Sequence, residues 1–139
     1  MPRLSVLMIR TALLYLGVGF TLGGLVLFNK GIPLAADIGR LMLPHGDILL
    51  FGWFMQLIMG TAFWIMPRFA TPPKYGRVWL AQAAFVLLNA GVIAAVIGQW
   101  IIHIHLIFVG RVVMLMAVLC FVVHILPRVR AYPPMPDQP

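Results

Sequence analysis

Fixed charge is what this sequence has least of. Of its 139 residues only 9% are Asp, Glu, Lys or Arg, and just three are acidic; a soluble domain carries about 25% charged residues. With 63% hydrophobic residues, a chain this short has no interior large enough to hide its apolar side chains from water. Its solvent is therefore lipid. Three acids, one of them in the C-terminal stretch, exclude a paired-carboxylate site, and no phosphate loop or nucleophile–base–acid set is present. The one cysteine, Cys120, lies within an apolar run. That excludes an intrachain disulfide or a cysteine-based metal centre and leaves Cys120 as a small buried hydrophobe. No strand-like alternation bounded by turns suggests a barrel. The net charge of +7 is spread between and beside the oily runs instead of gathered in one patch, which argues for topology signals and against nucleic acid.

What the sequence does have is long apolar runs. A membrane span needs about 20 largely apolar residues, and four are expected, at about 4–28, 45–66, 78–98 and 104–126. From Val78 to Gly110 about 33 residues carry no fixed charge, some 50 Å as a helix. That is too long for one crossing, so a break is expected at "GQWIIH", Gly98 to His103. Residues 128–139 are proline-rich and read as an extended tail. Basic residues ahead of the first apolar run resemble a signal peptide. The run is long for one, however, and is read as a retained first span. Arg3 and Arg10, Arg68, Lys74 and Arg77, and Arg128 and Arg130 all fall on one side of this arrangement. The positive-inside rule then places both termini in the cytoplasm of a bacterial-type inner membrane. The expected fold is all-α, an integral membrane four-helix up-down-up-down bundle. Gly19 with Gly23, and Gly91, Ala94, Ala95 and Gly98, place small residues along helix faces and suggest tight packing or a homo-oligomer.

This arrangement brings three histidines to one depth. His45 opens the second span on the outer side, and His103 and His105 open the fourth. At 100° per residue, His45, Leu49, Gly52, Gln56, Met59 and Phe63 form one stripe, and Gly52 would let a planar macrocycle approach. Haem iron needs one imidazole from each face, so one histidine from each of two helices suffices for a b-type haem. On a helix His103 and His105 diverge by about 200°; His105, further inside the apolar region, is the preferred partner. All three also suit ordinary residues of the aqueous boundary, as Trp100 does. Arg111 lies about two turns into the fourth span, where an unpaired cation costs at least a few kcal/mol. A haem propionate, a quinone oxygen or Asp47 would satisfy it, and Asp47 is equally placed to orient an imidazole. His124 reads as a boundary residue at the cytoplasmic end.

"HGDILLFGWFMQLIMGTAFWIMPRF", with His45, Phe51-Gly52-Trp53, Gly60 and Pro67-Arg68, resembles the second helix of the catalytic subunit of haem-copper oxidases, especially the cbb3-type oxidase and nitric oxide reductase branch. "LNAGVIAAVIG" and "GRVVMLMAVLCFVVHILPR" look like that family's next two helices. The resemblance covers most of this chain but about a third of a twelve-helix subunit. It implies that His45 matches the low-spin haem ligand near the outer face. The family's second ligand comes from a late helix carrying a His-x-His pair; "HIH", His103 to His105, looks similar, although chain order aligns the fourth span with an early helix. The histidines of the family's copper site and high-spin haem are missing, so the chain by itself is not expected to reduce oxygen or nitric oxide.

The expected function is electron transfer through haem b held by His45 and His105 or His103, possible quinol linkage included, with Gly52 and Arg111 contacting the cofactor. Two other functions fit the same residues. One is a non-redox accessory or assembly subunit of a respiratory oxidase that carries haem or copper. The other is a haem-free quinone-binding protein using Arg111 and Gln56.

Overall fold

The computed structural model describes residues 1–69 and 71–130, and the expected tail from residue 131 lies outside them. Among the described residues the structure is all-helical, with four helices long and apolar enough to cross a membrane. Helix α1, Arg3–Gly31, follows Pro2 and ends before Ile32-Pro33. Lipid cannot solvate free hydroxyls, and Thr11 and Thr21 donate theirs to the carbonyls of Leu7 and Gly17 one turn back. Past the helix end, the Asn29 side chain accepts from the backbone N–H groups of Leu34 and Ala35 at 2.8 and 3.1 Å. This turns the chain into a short 3₁₀ segment, Ala36–Leu41.

The second span is continuous from Asp37 to Ile65 but not uniform. It comprises α2, Met42–Asp47, a π-helical segment, Ile48–Met55, and α3, Gln56–Ile65. Pro44 is tolerated because it lies in the first turn, where its missing N–H has no helical partner. Met66 is extended, at ψ 145, as expected before Pro67. Helix α4, Val78–Trp100, and α5, Ile104–Arg130, follow.

The expected break between them is a tight helix cap. Ile102 has φ 58, and the His103 N–H donates to the Gly98 carbonyl at 2.8 Å. This is the six-residue bond of a Schellman cap, with isoleucine at the position usually held by glycine. Helix α5 then continues through Pro127 to Arg130, so residues 128–130, expected in the tail, are helical, and Arg128 is an anchored core residue (below).

Two helix pairs build the molecule. Along α1 and the second span, Gly23 faces His45, Gly19 faces Leu49, Gly52 faces Tyr15 and Gly60 faces Met8. Residue numbers rise on one helix as they fall on the other. Along α4 and α5, Gly98 faces Ile107, and Gly91 faces Gly110 and Met114, in the same sense. The small residues noted in the sequence are thus used inside the chain. A core of Met59, Phe63, Ala84, Leu88, Met114 and Phe121, among others, joins the pairs. Leu14, Phe20, Leu27, Val86, Phe108 and Leu115 are each more than half exposed, an outward apolar surface suited to lipid.

Candidate functional site

His45 is held by α1. Its Nδ1 lies 2.8 Å from the Gly19 carbonyl oxygen. A carbonyl only accepts, so Nδ1 carries the proton and Nε2 keeps its lone pair. The ring rests over Gly23, where an added Cβ would lie 2.6 Å from Cε1. Gly23 is therefore needed for the imidazole to lie against α1. A backbone carbonyl fixing the Nδ1–H tautomer is the usual way a ligating histidine is oriented.

The predicted stripe largely faces α1. Gly52 admits the ring of Tyr15, whose Cγ would be 2.7 Å from an added Cβ, so a side chain of this protein fills the place considered for a macrocycle. Gln56 is 1% exposed; its Nε2 reaches the Met8 carbonyl and its Oε1 accepts from Asn89 at 2.8 Å. Ser5 donates to the Gly60 carbonyl at 2.6 Å. Phe63 departs from the α1 face, stacking on Tyr75 and His124.

Arg111 finds its partner in Asp47. One guanidinium nitrogen lies 2.7 Å from Oδ1 of Asp47, whose side chain is 8% exposed. Gln99 donates to the other carboxylate oxygen, and the Arg111 guanidinium lies 5.6 Å from the centre of the Phe51 ring. This cluster ties the second span to both α4 and α5. The Arg111 charge is thereby balanced within the chain, and a propionate or a quinone oxygen is not required to neutralise it. Gln99 was not singled out in the sequence, where a lone glutamine near Trp100 gives no sign of a partner 52 positions away.

The structure separates the roles of His103 and His105. Their rings lie edge to face at 5.8 Å, and both residues are exposed. His103 is consumed locally: its Nδ1 accepts the backbone N–H of Leu106 at 3.2 Å, capping the start of α5. In the neutral ring the proton must then be on Nε2, which removes the lone pair a metal would take. His105 makes no side-chain hydrogen bond among the described residues and keeps a free nitrogen. The N-cap role is legible in hindsight as a polar side chain three residues ahead of Leu106.

At the other end His124, expected at the cytoplasmic boundary, is 3% exposed. Its Nδ1 donates to the Arg77 carbonyl at 3.1 Å, and its ring stacks on Phe63 at 5.4 Å. Arg128, 1% exposed, donates to the carbonyls of Phe63, Met66 and Pro67 at 3.1, 2.6 and 3.0 Å. Those are the open carbonyls where the second span ends, the negative end of its dipole.

Among the described residues no three His, Cys, Asp or Glu side chains gather as a metal site. Haem asks less of the protein, two axial nitrogens at most. By donor chemistry His45 and His105 fit that requirement and His103 does not. No protein-family model, curated protein or solved structure matches the chain.

Proposed function

We propose that this chain is a multi-pass membrane protein that binds a b-type haem for electron transfer, with His45 as an axial ligand. One observation carries the reading: Nδ1–H of His45 is committed to the Gly19 carbonyl, which orients the ring and leaves Nε2 as a ligand. His105 supplies the second nitrogen. Its exposed position leaves open a haem held within one chain or shared with a second copy, and the haem-to-chain ratio decides between them. When bound, the haem supplies one-electron chemistry at iron; this chain's residues orient the imidazole, exclude water and set the surrounding charge. The resemblance of the His45 helix to haem-copper oxidases supports this reading. The histidines of that family's copper site and high-spin haem have no counterpart in this chain, so the reading does not extend to oxygen or nitric oxide reduction.

The proposed topology is up-down-up-down with both termini in the cytoplasm of a bacterial-type inner membrane. Contacts between Ser5 and Gly60, His124 and Arg77, and Arg128 and Pro67 gather Arg3, Arg68, Lys74, Arg77 and Arg128 toward one end, as the positive-inside rule requires. A role as an accessory or assembly subunit carrying haem or copper is the alternative. The quinone site built on Arg111 and Gln56 has less support, because Asp47 and Asn89 already engage those side chains.

Visible spectra of the purified protein, oxidised and dithionite-reduced, with haem counted per chain, test the reading. Sharp reduced α and β bands are expected, lost in His45→Ala and His105→Ala and retained in His103→Ala. A colourless, folded protein from haem-replete cells would overturn it. Substoichiometric, exchangeable haem or copper would favour the carrier.

A further inference from the structure

A second site stands at the opposite end of the second span from His45, and it does not rest on the haem reading. Charge is divided unequally between the two ends. The acids of the described residues, Asp37 and Asp47, belong to the His45 end, and each pairs with an arginine, Arg40 at 3.2 Å and Arg111 at 2.7 Å. The other end carries Arg3, Arg10, Arg68, Lys74 and Arg77, all exposed, and no carboxylate among the described residues pairs with them. Arg128 is satisfied separately, by the carbonyls of Phe63, Met66 and Pro67. The counter-charge of this end must come from outside the described chain.

A cleft of 630 Å³ opens at the same end, between the start of α4 and the end of α5, with Phe69, Arg77, Trp79, Val123 and Pro127 in its wall. That volume lies in the range of small-molecule pockets. Trp79 and Val123 are 62% and 52% exposed, so the cleft opens onto the apolar flank of the molecule, which suits lipid. Two polar side chains line it, His124 and Arg77. His124 is 3% exposed and stacked on Phe63, which leaves Arg77, an exposed residue, as the accessible one. Helix α4 begins beside it without a side-chain cap, so the positive end of its dipole adds to the same rim. An apolar wall below a positive rim is complementary to an amphiphile with an anionic head.

We propose that this cleft binds an anionic phospholipid of the surrounding leaflet, with one acyl chain along Phe69, Trp79 and Val123 and the phosphate accepting from Arg77. Basic pockets between membrane helices hold anionic head groups in this way. Charge selects among lipids. Phosphatidylglycerol brings a net negative charge, whereas the quaternary ammonium of phosphatidylcholine is repelled by Arg68, Lys74 and Arg77.

The test uses the full-length protein in detergent micelles holding equimolar phosphatidylglycerol and phosphatidylcholine of one chain length. Native mass spectrometry weighs and counts the lipid retained per chain. Phosphatidylglycerol should be retained about tenfold over phosphatidylcholine, the scale of one charge-assisted hydrogen bond. Arg77→Gln should bring that ratio close to one, and Lys74→Gln should leave most of it. Val123→Trp, which fills the apolar wall and keeps the cation, should lower phosphatidylglycerol retention several-fold. Equal retention of the two lipids would overturn the proposal. So would a loss in Lys74→Gln as large as in Arg77→Gln, the mark of a diffuse basic surface, or retention indifferent to Val123→Trp. A fatty-acid mass in place of the phospholipid would also overturn it. The substituted positions are exposed, and the comparison of lipids on the unaltered protein stands whether or not a variant folds.

Discussion

In the α4–α5 pair the glycines meet backbone, whereas in the pair formed by α1 and the second span they mostly meet side chains. A Cβ at Gly110 would lie 2.7 Å from the Ala95 nitrogen and 2.8 Å from the Gly91 oxygen, atoms that cannot rotate away. At Gly52 the obstacle is the Tyr15 ring, at Gly23 the His45 ring and at Gly19 the Leu49 side chain. Gly60, where Ser5 also crosses, lies between these cases, since it meets the Cβ of Met8. Close backbone approach gives tight van der Waals packing in lipid and makes α4–α5 a rigid unit. Side chains in glycine notches make the first pair adjustable, and this is the pair that carries His45. A cofactor on that side requires Tyr15 to turn, not a helix to move.

The largest effect should therefore be in the rigid pair. Gly110→Ala is expected to lower stability by about 3 kcal/mol, the upper end for overpacking, measured by reversible unfolding in mixed detergent micelles. Arg128→Met should follow at about 2 kcal/mol, because three carbonyls lose a charged donor while the apolar stem is roughly replaced. That loss reports the link between α5 and the end of the second span. Gly52→Ala should cost about 1 kcal/mol or less if the Tyr15 ring gives way. Placing Gly52→Ala in a Tyr15→Ala background should reduce its cost further, the signature of a pairwise clash. A Gly52→Ala loss as large as that of Gly110→Ala would break the distinction between the pairs.

How far these features could be read in advance follows from their range. Four long apolar helices were legible because lipid imposes length and apolarity locally; the observed helices at Arg3–Gly31, Asp37–Ile65, Val78–Trp100 and Ile104–Val129 overlap the expected spans, although the second begins eight residues before the expected start at His45. The stripe from His45 to Met59 was legible for the same reason, since helical periodicity survives the π-helical segment. Its occupant was not, because nothing near Gly52 in the chain announces that Tyr15 will lie against it. Arg128 looked like the first residue of a tail: a basic residue after a proline is ordinary at a membrane boundary. Its burial depends on carbonyls of Phe63, Met66 and Pro67, more than 60 positions away. The Asp47–Arg111 pair was one of the options the sequence left open, and only the tertiary structure brings Gln99 to the same carboxylate.

The turn between α4 and α5 sharpens the comparison with the smallest effect. Ile102 sits at φ 58, where a β-branched residue is disfavoured by about 1–2 kcal/mol relative to its right-handed conformation. The conformation persists because the two helices are fixed on either side by backbone contact at Gly91, Gly98 and Gly110, and because His103 closes one helix with its N–H and opens the next with its ring. Glycine at position 102 would relieve the clash but add roughly 0.5–1 kcal/mol of backbone entropy to be lost on folding. Ile102→Gly should then stabilise by only about 0.5 kcal/mol in the same unfolding assay. In a Gly110→Ala background, with the helices pushed apart, the hairpin no longer enforces the left-handed turn and the gain should shrink toward zero. A gain that stays the same in both backgrounds would show that the turn is set locally by the His103 caps, independent of the packing of α4 on α5.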